Sequence, residues 1–335
     1  MAAASGSLLG VDGGNSKTLA LVARPDGTVV GAGRTARSSD LHAEPEAAVL
    51  ATLDAVVGEA VRSAGRSRLA HTTFSLAGAD WPEDIDWLTV HLRDRWPGTT
   101  VVNDAIGALR AAIPLGAGVV IVCGTGTATG ARGPDGRTWH SGFWQGPHAA
   151  RELGLMALRA VYRAELGLDP GTALTGALLA ATGAPDVEAV LHARTARDGG
   201  AEDPARFAAI LLDAADAGDQ IAADLVHRHG LDLGQVAVAA GRRVGIADDA
   251  PATLALAGGL FRHPARRLRR SILEAVGDLA PGYRLGGTGL EPAVGALLLS
   301  FDRAGIEIDA AVQARLIASL PDPSFFAGGA GTGSA

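Results

Sequence analysis

The chain has 335 residues, long enough for two domains of ordinary size. With 47% hydrophobic and 19% charged residues it is a folded globular protein, and a net charge of −7 argues against a dedicated nucleic-acid binder. One cysteine, Cys123, excludes a disulfide scaffold, a cysteine zinc site or a four-cysteine iron–sulfur cluster within this chain, and fits a reducing, cytoplasmic setting. No segment approaches the roughly 20 apolar residues that cross a bilayer, and residues 1–7 lack the charge and apolar core of a signal peptide. A soluble protein without membrane partners is expected. Nearly every cation is arginine; Lys17 is the only lysine.

Leu8 to Val11 is a short apolar run ending in Asp12-Gly13-Gly14-Asn15-Ser16-Lys17-Thr18. Leu19 to Ala23 follows, then the turn residues Pro25-Asp26-Gly27, then Thr28 to Ala32; short β runs broken by such residues predict an antiparallel meander. From Glu44 to Ser63 apolar residues recur at helical intervals (Val49, Leu53, Val56, Val57, Ala60). A strand (72–76), a helix (81–95), a strand (99–102) and a helix (104–113) follow. The opening pattern then recurs: apolar Val119 to Val122, the turn Gly124-Thr125-Gly126-Thr127, a strand at 128–131 and a second Pro-Asp-Gly at 134–136. This internal repeat predicts a duplicated α/β domain. Residues 146–245 are mainly helical, with runs at 152–166, 204–217 and 221–244. Thr253 to Ala257 is a buried strand broken by Gly258-Gly259; helices follow at 264–276, 292–303 and 309–320, and 321–335 reads as a frayed tail.

Glycines let backbone N–H groups approach phosphate oxygens, and consecutive N–H groups make an anion cradle. Asp12 to Thr18 adds an acid that could hold a hydrated Mg²⁺ beside those phosphates, two hydroxyls and the lone lysine; a plain hairpin turn is the alternative. Gly124 to Thr127 offers the same physics. No Walker pattern is present, and the first glycine turn leads into a strand, so neither a P-loop nor a dinucleotide Rossmann reading fits. Two glycine hairpins on two related domains imply phosphates clamped between the domains. Asn103-Asp104 closes a strand and opens a helix: the carboxylate can cap the helix, worth about 1 kcal/mol, or take a hydroxyl proton during phosphoryl transfer. Gly258-Gly259 could let an adenine lie against backbone or be a tight turn. Arg262 to Arg270 reads as a solvated basic face with phosphate contact as the minor option, and His227 and His229 read as surface histidines without metal-ligand spacing.

These segments resemble the acetate and sugar kinase/heat-shock ATPase/actin superfamily, and within it the N-acetylglucosamine kinase branch of the BadF/BadG/BcrA/BcrD-type ATPases. Asp12 to Thr18 is similar to its first phosphate motif, Gly124 to Thr127 to the second, Asn103-Asp104-Ala105 to the catalytic aspartate motif and Ala257-Gly258-Gly259 to the adenosine motif. Leu76 to Asp80 and Pro292 to Leu297 also match, so the likeness runs from about residue 8 to 300.

The resemblance implies an α/β fold of two actin-like, ribonuclease-H-like domains around a nucleotide cleft. The N-terminal domain would span 1–113 and the C-terminal domain, with a helical insertion, 114–305; a helix at 306–320 could pack back on the first domain, and 321–335 would be a flexible tail. It implies ATP with Mg²⁺ near Asp12, and phosphates held by Gly13, Gly14, Asn15, Ser16, Lys17, Thr18, Gly124, Thr125, Gly126 and Thr127. It also implies adenosine at Gly258, Gly259 and Arg262, and Asp104 as base toward a sugar hydroxyl, the 6-hydroxyl in amino-sugar kinases. A homodimer through the second domain is common in the family. Departures fall in the sugar segments: Arg151 takes an aspartate position beside Glu152, Asp40 follows Ser38-Ser39 where an asparagine is usual, and Asn15 replaces a third glycine. Asp40, Ala77, Gly78, Asn103, Trp144, His148 and Glu152 are the candidate sugar contacts. The expectation is an ATP-dependent kinase acting on a small-molecule amino sugar; the alternatives are an ATPase module driving a partner protein and a non-catalytic sugar sensor.

Overall fold

A computed structural model describes residues 6–124, 126–144, 149–197 and 202–327. Its strands form two five-stranded sheets of one design. In the first, β1 (Ser7–Gly13), β2 (Thr18–Ala23), β3 (Val29–Thr35), β4 (Leu69–Leu76) and β5 (Thr99–Asn103) run in the order β3-β2-β1-β4-β5. The second contains β6 (Gly118–Cys123), β7 (Thr127–Arg132), β8 (Thr138–His140), β9 (Ala252–Ala257) and β10 (Tyr283–Leu285), ordered β8-β7-β6-β9-β10. Each opens with an antiparallel meander and adds two parallel strands on the other side of its first strand. The repeat in the sequence is a repeat of sheets.

Both central strands are apolar along their length because helices cover both faces. On the first sheet, α1 (Glu46–Ser63) buries the predicted stripe of Val49, Leu53, Val56, Val57 and Ala60, and α2 (Pro82–Arg93) adds Leu88 and Leu92. On the second sheet the helices α4 (Ala150–Glu165), α5 (Leu174–Thr182), α6 (Val187–Thr195), α7 (Ala208–Asp216), α8 (Gln220–Arg243) and α9 (Arg267–Leu279) build the largest core. Between the halves runs α3 (Asp104–Ala112), whose Ala108, Leu109 and Ala112 pack on Val120 and Ala255 of the second sheet.

Three expectations need correction. Helix α10 (Pro292–Arg303), placed by its chain position in the C-terminal domain, lies on the first sheet. Gly10 of β1 has no side chain, so the backbone of Leu297 rests directly on the strand. Ser300 donates to the Leu9 carbonyl at 2.6 Å, and Arg110 of α3 forks onto Asp302 at 2.8 and 3.0 Å. The segment after Leu320 is not frayed as far as residue 327. After α11 (Ala310–Ala318), a short helix α12 (Pro323–Phe326) buries Phe326 with Leu8 and Leu19, and Arg34 donates to the carbonyls of Ser324, Phe325 and Ala327 at 2.8, 3.0 and 2.7 Å. His229 is not on the surface: it faces inward from α8 and is 3% exposed. Among the described residues, no single helix is long and apolar enough to cross a membrane.

Candidate functional site

The two glycine turns meet. Strand β1 ends at Asp12-Gly13, the Gly14 N–H donates to the Lys17 carbonyl at 3.0 Å, and β2 begins at Thr18. Gly13 lies against Ser39 and Leu76, where a side chain would not fit. In the second half, β6 ends at Cys123 and the Gly124 N–H donates to the Gly126 carbonyl at 3.0 Å. A Cβ at Gly126 would lie 3.3 Å from Nδ2 of Asn15, so the turns of the two sheets face each other across one amide. Gly258 (φ +99°) brings the end of β9 flat against the backbone of Cys123, beside the second turn.

Carboxylates gather beneath these turns. The cap of α3 is Asn103: its Oδ1 accepts from the Ala105 N–H at 3.0 Å, and its Nδ2 donates to Oδ1 of Asp80 at 2.8 Å. Asp104 is the first helical residue, and the Ala105 N–H also opposes the rise of its carboxyl pKa. Burial pushes its carboxyl up to about 7, helped by the charges of Asp12, Asp80 and Asp40. Burial also raises Asp12 to about 6, with Lys17 opposing and Glu291 adding, and Asp80 to about 6, with His42 opposing and Asp40 and Asp84 adding. Asp80 and Glu291 join this group without being among the expected site residues. Asp80 ends the Leu76–Asp80 segment and was readable from it; Glu291 precedes Pro292 at the start of α10 and carried no signal.

Asp40 sits against Gly78, whose φ of +76° and missing Cβ allow the approach, and the Ala77 N–H donates to the Gly13 carbonyl at 2.7 Å. Next to them a cavity of about 210 Å³ spans the two halves, lined by Asp80 and Trp81 from the first and by residues of the 138–144 stretch from the second. Phe143 reaches across, edge-on to His42 at 4.9 Å and stacked on Trp81 at 6.3 Å. Arg243 of α8 lies 5.2 Å over the rings of both Trp139 and Trp144 and holds the stretch in place.

Several expected contacts point elsewhere. Thr18 is buried, and its hydroxyl bonds Ser39 at 3.0 Å and the Arg37 carbonyl at 3.1 Å, so its side chain does not face the turn's N–H groups. Lys17 donates to the Phe326 carbonyl, and burial lowers its ammonium pKa against the opposing pull of Asp12. Arg262 pairs with Glu291 at 3.2 Å, within the field of Lys17. Glu152 borders a groove of about 480 Å³ between α4 and α8 and is not among the residues lining the Asp80 cavity. Thr127 bonds the Cys123 thiol at 3.8 Å, and burial pushes that thiol up to about 12. Thr125 and His148 lie outside the described residues.

The profile of the BadF/BadG/BcrA/BcrD ATPase family matches residues 9–300. The chain belongs to that family. Its fold is shared with a candidate N-acetylglucosamine kinase of Chromobacterium violaceum (TM-score 0.65, 24% identity, 89% of this chain and 99% of that one). A second candidate N-acetylglucosamine kinase, from Porphyromonas gingivalis, superimposes with a TM-score of 0.62 at 19% identity over 88% and 98% of the chains. The ROK family glucokinase of Streptomyces griseus, solved with glucose and AMPPNP, gives 0.56 at 18% identity over 88% and 98%. No curated protein matches the sequence. This family member therefore has two actin-like halves, with its glycine turns and carboxylates where the halves meet.

Proposed function

We propose that this chain is an ATP-dependent kinase that transfers the γ-phosphoryl group to a hydroxyl of a sugar, the 6-hydroxyl of an amino sugar such as N-acetylglucosamine or glucosamine. The observation that supports the reading is that Asn15 and Gly126 bring the two glycine turns together, while Asp104 lies buried in the field of Asp12, at the end of the first turn's strand, with its carboxyl raised to about 7. The membership of an ATPase family supports the nucleotide, and the kinases of similar fold support the sugar.

In this reading the two glycine turns, residues 13–18 and 124–127, close on the β- and γ-phosphates, the N–H groups of Gly14 and Gly124 tying the turns themselves, with Arg262 and the remaining donors of Lys17 adding positive charge. The acceptor hydroxyl gives its proton to Asp104 as its oxygen bonds to the γ-phosphorus, and the bond to the β-bridging oxygen breaks to release ADP. A carboxyl near pH 7 suits this task, because a general base works best with a pKa close to the operating pH. Mg²⁺ beside nucleotide phosphates needs only one or two protein carboxylates. Asp12 fits that demand, and no three-ligand metal cluster occurs among the described residues; when bound, the ion would neutralise phosphate charge. A homodimer through the second half and a cytoplasmic setting complete the proposal, resting on the family likeness and the single cysteine.

A coupled ADP-release screen over glucosamine, N-acetylglucosamine, N-acetylmannosamine, N-acetylmuramic acid and glucose tests it. Sugar-stimulated ADP supports the kinase. Sugar-independent hydrolysis assigns an ATPase module, and sugar binding without turnover assigns a sensor.

A further inference from the structure

The cavity between Asp80 and the 138–144 stretch holds a polar atom with no protein partner. Nδ1 of His140 is buried and makes no hydrogen bond, in a molecule where few described buried side-chain groups are left so. An unpaired buried imidazole nitrogen is unfavourable unless something fills it, and burial lowers the pKa of this ring. The atom borders the same small volume as Asp80: a Cβ at Gly142 would lie 3.5 Å from Nδ1 of His140 and 3.5 Å from Oδ1 of Asp80. Gly142 has a φ of +43°, and the missing side chain keeps that volume open. Around the rim stand three large rings left partly bare, Trp81, Phe143 and Trp144, at 41%, 56% and 67% exposure. Exposed aromatics grouped on a cavity mark a binding surface, and rings beside a carboxylate and an imidazole suit a ligand with one apolar face and polar edges. At about 210 Å³ the space is smaller than a drug-sized pocket and takes one pyranose ring.

We propose that His140 is a specificity-determining residue for the acceptor: His140 Nδ1 and the Asp80 carboxylate bind two neighbouring polar groups of one pyranose ring whose C–H face lies on the aromatic rim. The inference rests on the kinase reading and names the part of the site that selects the sugar. Its position explains the reach across the halves, since β8 contributes His140 and the end of β4 leads to Asp80. The same Asp80 oxygen holds Asn103, which caps the helix that begins with Asp104, so a ligand on Asp80 is registered directly against the base.

Three variants test it with the sugar the wild-type protein phosphorylates best. His140→Leu is expected to raise the acceptor KM about tenfold or more, the fold-change of one lost buried hydrogen bond, with the ATP KM unchanged. His140→Asn, whose amide reaches the place of Nδ1, recovers most of the loss; His140→Gln, which reaches the place of Nε2, does not. Among 2-, 3- and 4-deoxy analogues, one loses its discrimination in His140→Leu alone, and that position is the group His140 reads. Sugar binding is followed in parallel by tryptophan fluorescence, a readout independent of turnover. A wild-type protein that phosphorylates and binds a sugar while His140→Leu matches it in acceptor KM and in deoxy discrimination overturns this inference and leaves the kinase intact. A wild-type protein that neither phosphorylates nor binds any sugar of the panel overturns both.

Discussion

A carboxylate in the first turn of a helix is ordinarily favoured in its ionised form by the helix dipole; Asp104 is driven the other way, because burial and three neighbouring carboxylates outweigh that field. Two consequences have opposite signs. For activity, the proposed role of Asp104 as base requires it ionised, so kcat/KM for the acceptor should fall about tenfold per pH unit below an apparent pKa near 7. Asp104→Asn should lose roughly 10²–10⁴-fold in kcat while ATP affinity, measured by equilibrium titration, stays within a few-fold. For stability, the folded chain keeps protons on Asp104 that the unfolded chain releases above about pH 4, so native stability falls as pH rises from 4 through 7. Thermal unfolding of Asp104→Asn should therefore exceed the parent at pH 8 and match it near pH 4; equal shifts at both pH values would show that the carboxyl is not raised. Asn103 and Asp104 were legible as a pair from the strand-to-helix boundary, but their roles were not. Which of two adjacent side chains caps the helix depends on Asp80, a partner 23 residues away.

Helix α10 and the segment behind it show what chain order cannot tell. The helical period of 292–303 is plain in the sequence, yet its partner is the strand nearly 300 residues earlier, selected because Gly10 is flat enough to receive its backbone. Gly10→Ala should cost about 1–3 kcal/mol, as overpacking does, measured by denaturant unfolding; an unchanged midpoint would mean that the helix is free to shift. Beyond Leu320, glycine, proline and serine read as a frayed end. Phe326 and the carbonyls held by Arg34 outweigh that composition, since a buried phenylalanine contributes about 2 kcal/mol. A chain ending at Leu320 should unfold at a lower temperature, and its ATP KM should change because Lys17 loses the Phe326 carbonyl. A truncated chain with the parent's melting temperature and ATP KM would remove α12 from the account.

At the scale of the molecule, the duplicated sheet was readable because a strand, a glycine turn and a Pro-Asp-Gly turn recur in the same order, and turn chemistry is local. The meeting of the turns was readable only as an implication of the repeat. The aromatic cavity was not readable, because Trp81 and Phe143 come from different halves and no periodicity links them. Gly126→Val would drive methyl groups into Asn15 and the space between the turns, and should raise the ATP KM by tenfold or more without altering the far-ultraviolet circular dichroism. The most direct measurement is the mass of the sugar after incubation with ATP, Mg²⁺ and either the wild-type chain or Asp104→Asn. One added phosphoryl group per sugar is expected with the wild type and essentially none with the variant; an unmodified sugar with the wild type, or equal product from both, would rule out transfer by Asp104 at this junction.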